Sequence, residues 1–87
     1  MKERDVVIGH RLGLHARAAA KLVQLSTRFK SDIVLSRPGP NSPLQADARS
    51  ILGILLLSAG YGSTLSVRAD GADEEQALES ICEYLSG

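Results

Sequence analysis

The sequence predicts an α+β fold: a four-stranded antiparallel sheet carrying three helices on one face, an open-faced sandwich in the order βαββαβα. Three observations lead there. Eighty-seven residues make a single domain, 1–87, whose modest core has room for two layers of secondary structure. The hydrophobic spacing switches between the alternation of strands and the three- and four-residue steps of helices, with no internal repeat. The strands alternate apolar with polar residues and the helices are apolar on one side only, so one sheet face stays in water, as antiparallel sheets allow.

Asp5-Val6-Val7-Ile8, rich in β-branched residues and stopped by Gly9, suits an opening strand, and a loop from His10 to Leu14 follows. From Ala16 the spacing becomes helical. Ala19, Leu22, Val23, Ser26 and Phe29 fall on one side, with Lys21, Gln24, Arg28 and Lys30 on the other, and the late basic residues suit a helix C-terminus. Ser31-Asp32 breaks this helix before a second strand, Ile33 to Ser36. Arg37-Pro38-Gly39-Pro40-Asn41-Ser42-Pro43 holds all three prolines and predicts an exposed excursion, with a brief strand at Leu44 to Ala46. Ser50 is placed to N-cap a second helix, Ile51 to about Ser58, which Gly60 and Gly62 end. Ser63 to Ala69 then alternates, Leu65, Val67 and Ala69 facing one way and Thr64, Ser66 and Arg68 the other. After the turn at Asp70-Gly71-Ala72, Asp73 with Gln76 predicts a capping box, and Glu74 and Glu75 sit at the positive end of a last helix. Its buried stripe is Ala77, Leu78, Ile81, Cys82 and Leu85.

Composition narrows the function. Ten basic residues balance ten acidic ones, which removes the long-range field of a nucleic-acid or anionic-membrane binder. With no Trp, one Phe and two Tyr, a stacking platform for bases is missing too, so proteins are the expected partners. The most apolar run, Ile51 to Ala59, is too short to span a bilayer. The lone Cys82 forms no internal disulfide, and the charged Met1 to Asp5 lacks an apolar run behind it, so a cytoplasmic location is expected. His10 and His15 without an acidic or cysteine ligand nearby make a poor metal site.

The most informative stretch is Gly13-Leu14-His15-Ala16-Arg17, which places a histidine at the mouth of a helix with an arginine two residues behind it. Imidazole titrates near neutrality and is a nitrogen nucleophile. The first amides of a helix are unpaired, and the aligned peptide dipoles leave partial positive charge beside them. A phosphoryl group on His15 would find an anion cradle in the amides of Ala16 and Arg17 and a fixed cation in the Arg17 side chain. A carrier also needs an apolar surface for its partners, and Leu14, Ile51, Leu52 and Leu55 are the candidates.

Gly13-Leu14-His15-Ala16-Arg17 resembles the active-site signature of the HPr family, the histidine-containing phosphocarriers of the bacterial phosphotransferase system. Ser50-Ile51-Leu52-Gly53 resembles that family's regulatory-serine segment, and Gly71 to Ala77 resembles the opening of its final helix, so the likeness spans nearly the whole chain in order. The resemblance implies the HPr open-faced sandwich and a phosphocarrier without substrate turnover or cofactor. It implies phosphorylation of His15 on Nδ1 by phospho-Enzyme I, charged from phosphoenolpyruvate, then transfer to a histidine of an Enzyme IIA, with Arg17 stabilising the phosphate. It also implies regulatory phosphorylation of Ser50 by an HPr kinase/phosphorylase where one exists. A monomer is the default expectation. The chain departs from the family pattern at Ala18, where proline is usual, and in a longer Pro38 to Pro43 turn. The alternative reading is a regulatory binding module of the same fold, acting mainly through phosphorylation of Ser50 and protein docking.

Overall fold

The computed structural model describes residues 1–39 and 44–87. The strands are β1 (Lys2–Val7), β2 (Asp32–Arg37), β3 (Leu44–Asp47) and β4 (Thr64–Asp70), and the helices are α1 (Ala16–Ser26), α2 (Ile51–Leu56) and α3 (Glu74–Ser86). The strands form one sheet in the order β1-β4-β2-β3, with every neighbouring pair antiparallel. This is the expected βαββαβα sandwich. The part of the proline-rich excursion at residues 40–43 lies outside the described residues.

Register shows how the sheet acquires a dry face. Val6 pairs with Leu65, and Leu35 pairs with both Val67 and Ala46; all five are buried. On the alternate positions Ser66 pairs with Asp5 and Ser36, and these keep contact with solvent. Helix α3 packs over β1, β4 and β2, α2 packs on β3, and α1 joins α2 to α3. Leu22, Leu35, Ile54, Leu57, Leu65, Val67, Ile81 and Leu85 are almost wholly removed from solvent. Each such side chain contributes roughly 1.5–3 kcal/mol relative to exposure. Cys82 is buried on the expected stripe of α3, and burial pushes its thiol pKa up, so it packs as a small apolar group.

Several boundaries differ from the sequence reading, each for a local reason. β1 begins at Lys2, before Asp5, because the charged residues from Lys2 to Asp5 pair with Ala69 to Ser66 of β4. β2 and β3 run one residue past their expected ends, and β2 also starts one residue early. α1 ends at Ser26, so Arg28 and Lys30 lie beyond it and its last turn has no basic residue. The Ser26 hydroxyl donates to the Leu22 carbonyl and Thr27 Oγ1 to the Gln24 carbonyl, side-chain bonds that take up helix-end acceptors. α2 stops at Leu56, two residues short of Ser58. There the Arg37 guanidinium donates to the carbonyls of Leu57 and Ser58 at 2.8 and 3.2 Å, and Ser58 takes a left-handed conformation with φ of 52°.

The expected capping box at Asp73 does not form. Asp73 occupies the N-cap of α3, but its carboxylate reaches outward: it accepts from the amides of Lys30 and Ser31 at 2.9 and 3.0 Å and from the Ser31 hydroxyl at 2.6 Å. Gln76 is exposed, and Glu74 instead accepts from the Gly71 amide. Asp73 therefore fastens the α1–β2 turn to the start of α3. The Ser31 hydroxyl and the Lys30 amide hold its carboxyl below the usual carboxylate range. A group with a depressed folded pKa stabilises the fold above its unfolded pKa, 3.8 here, and loses that effect as pH falls through the folded value. Asp73→Ala is therefore expected to lower the melting temperature at pH 7, with the gap to wild type narrowing below pH 4; thermal unfolding across that range checks it, and a constant gap would contradict it.

Candidate phosphoryl-acceptor site

Two glycines shape the loop that carries His15. A Cβ on Gly9 would collide with the Ser86 carbonyl, and one on Gly13, at φ +70°, would stand 2.6 Å from the Ala59 carbonyl oxygen. The loop thereby lies against the backbone at both places. Its amides are tied down as well, Gly9 to the Leu85 carbonyl and Leu14 to the Ala59 carbonyl, each at 2.9 Å. Leu14 enters the core while His15, the next residue, is exposed.

His15 is the N-cap of α1, with extended backbone, and its Nδ1 accepts from the Arg17 amide at 3.3 Å. An Nδ1 that accepts an N–H carries a lone pair, so the neutral ring holds its proton on Nε2. The amide of Ala19 begins the helical ladder on the His15 carbonyl. Among the described residues the Ala16 and Ala18 amides have no hydrogen-bond partner, as expected of first-turn amides. The Arg17 side chain is exposed and makes no hydrogen bond or ion pair among the described residues. The structure thus brings the Nδ1 lone pair onto the Arg17 amide and sets His15 and Arg17 along one depression.

The ring has two unlike neighbourhoods. His10, Arg17, Ala18, Lys21 and Tyr84 line one depression with it, which is largely basic. A second depression beside it is bounded by Leu12, Leu14, Leu55, Ser58 and Ala59. Of the apolar residues proposed for docking, Ile51 and Leu52 are exposed, Leu52 by 68%. Leu14 is a correction: at 5% exposure it is a core residue, drawn inward by its bond to Ala59, and offers partners little surface. Leu55 is half-buried against the core. Leu12 and Leu56, 80% and 67% exposed, add apolar surface that the sequence pattern does not single out. Leu56 lies one turn beyond Leu52, a spacing that marks a shared helix face. No local signal marks Leu12 or the approach of Tyr84 from the far end of the chain.

Ser50 is half-buried at the N-cap of α2, where its Oγ accepts from the Gly53 amide at 3.0 Å. The structural half of its expected role is therefore met. No group of three potential metal ligands occurs among the described residues. No helix there is long and apolar enough to cross a membrane.

The family model described as the PTS HPr component phosphorylation site matches residues 2–86. The chain belongs to the HPr family. It is 47% identical to the phosphocarrier protein HPr of Cupriavidus necator over 81 residues, 93% of this chain and 86% of that one. It is 41% identical to the phosphocarrier protein NPr of Shewanella violacea, across 92% of this chain and 84% of that one. The crystal structure of an HPr from Bacillus anthracis superimposes with a TM-score of 0.87 at 36% identity, covering 97% of this chain and 95% of the other. The chain is thus a phosphocarrier-family protein of the phosphotransferase system.

The Ser50 cap sets a stability expectation. Ser50→Ala should cost about 1 kcal/mol by leaving the Gly53 amide unpaired, measurable by denaturant unfolding. An unchanged midpoint would show that the cap contributes nothing.

Proposed function

We propose that the chain accepts a phosphoryl group on His15 Nδ1 from phospho-Enzyme I and passes it to a histidine of an Enzyme IIA. The observation that carries this reading is the Nδ1 lone pair, held toward the first amides of α1 by the Arg17 N–H. In the forward step the Nδ1 lone pair forms a bond to phosphorus while the bond from phosphorus to the donor's nitrogen breaks and returns its electron pair there. The His15 ring then releases its Nε2 proton to solvent. The Arg17 amide, freed from Nδ1, turns to a phosphoryl oxygen alongside the amides of Ala16 and Ala18, and the Arg17 guanidinium offsets the added charge. Stabilisation is shared with solvent, since His15 is exposed, so the phosphoramidate stays reactive enough to be handed on.

Ala18 bears on this step. Its N–H is a donor that a proline there would lack, and its methyl is buried in the core, so the first turn keeps its packing while offering one more amide. Ile51 and Leu52 from α2, with Leu12 and Leu56, supply exposed apolar surface for the donor and acceptor. Every group named lies in one chain, so a monomer suffices for the relay, and the cytoplasm, where phosphoenolpyruvate is made, is the location that fits it.

A second reading rests on Ser50. A phosphate on its hydroxyl would place nearly two negative charges beside exposed Ile51 and Leu52, changing which partners dock. An HPr kinase/phosphorylase is the enzyme class that would place it there. This module reading takes precedence if the chain binds a partner only when phosphorylated on Ser50 and never accepts label on His15.

The primary reading is tested by incubating the chain with Enzyme I and labelled phosphoenolpyruvate. An acid-labile label is expected on the wild type and none on His15→Ala. Arg17→Ala should be labelled more slowly, on the order of tenfold, because a fixed charge on the transferring group is lost. A wild-type chain that stays unlabelled by several Enzyme I proteins would end the carrier reading.

A further inference from the structure

The segment from His10 to Ala19 is a loop followed by the first turn of α1, and its buried residues at the helix start, Ala18 and Ala19, have one-carbon side chains. They hold that turn with little apolar area. Polar bonds from the last turn of α3 reach both ends of the segment. The Tyr84 hydroxyl donates to the Ala18 carbonyl at 3.1 Å, 66 residues away in sequence. The His10 ring donates from Nε2 to the carbonyl of Tyr84 itself at 2.7 Å. A carbonyl only accepts, which puts the His10 proton on Nε2. The two rings also touch, with centroids 4.9 Å apart and planes tilted by 49°. Both line the basic depression beside His15. Burial pushes the Tyr84 phenol up from its ordinary value, so it remains a donor at neutral pH.

Resting on the reading of His15 as phosphoryl acceptor, we propose that Tyr84 and His10 are positioning residues for its phosphorylation. Tyr84, steadied by His10, clamps the first turn of α1 to the end of α3. The clamp fixes the direction of the Arg17 amide and with it the orientation of Nδ1 toward incoming phosphorus. Neither residue touches the reacting atoms. The tie to Ala18 matters because the carbonyl it holds belongs to the residue that follows Arg17 in the helix start.

Tyr84→Phe removes one oxygen and keeps the ring. In the full chain it is expected to slow labelling of His15 by Enzyme I about tenfold, the loss of a near-attack geometry held by one hydrogen bond. It should also shift the nitrogen-15 resonances of the His15 ring toward a mixture of tautomers, a signature that a purely structural contact would not move. His10→Ala should show part of both effects, and His10→Gln, whose amide nitrogen can donate in place of Nε2, should restore them. Wild-type labelling together with unchanged ring resonances in Tyr84→Phe would overturn the proposal. So would a rate loss that disappears on cooling, since that reports unfolding alone. If the wild type itself is not labelled, the carrier reading fails, and the ring resonances still decide whether Tyr84 positions His15.

Discussion

The hydrogen bond from the Leu14 amide to the Ala59 carbonyl joins the loop before α1 to the loop after α2, and the geometry of the site follows from it. It turns the Leu14 side chain into the core and, one residue later, leaves the imidazole in water. Gly13 permits the approach, since any Cβ there would meet the same carbonyl. A core residue, an exposed nucleophile and the first amides of a helix thus follow one another with no spacer. Movement of this loop would displace all three together.

The capping residues His15 and Ser50 hold the starts of α1 and α2, and side chains from elsewhere hold other turns. Asp73 ties the α1–β2 turn to α3, Arg37 closes the end of α2, and Arg49 donates to the carbonyls of Phe29 and Ser31 at 2.9 and 3.0 Å. Such bonds suit a small protein. Its core is limited by its length, and a side chain to backbone hydrogen bond adds stability without needing more apolar area. They also fix the turns between elements more sharply than helix propensity does.

The imidazole borders two unlike depressions, one lined by Arg17 and Lys21 and one by Leu12, Leu14 and Leu55. Positive charge and exposed apolar area beside one histidine give a surface where electrostatics speeds encounter and apolar contact adds affinity. The chain's net charge is zero, so it has no long-range field of one sign.

Much of this was legible in the chain itself. The alternation of Leu65, Val67 and Ala69, the stripe of α3, the Ser50 cap and the placing of His15 at a helix mouth all rest on short-range rules, namely the side-chain period and the needs of unpaired helix amides. Contacts between residues distant in sequence were not legible. The reach of Asp73 to Ser31 in place of a capping box, the burial of Leu14 and the clamp of Tyr84 on Ala18 depend on where the fold brings the partner backbone. Local pattern determined which elements form and which histidine stands at the helix mouth. Tertiary structure alone decided how that residue is held, because a hydrogen bond across the fold leaves no period in the sequence.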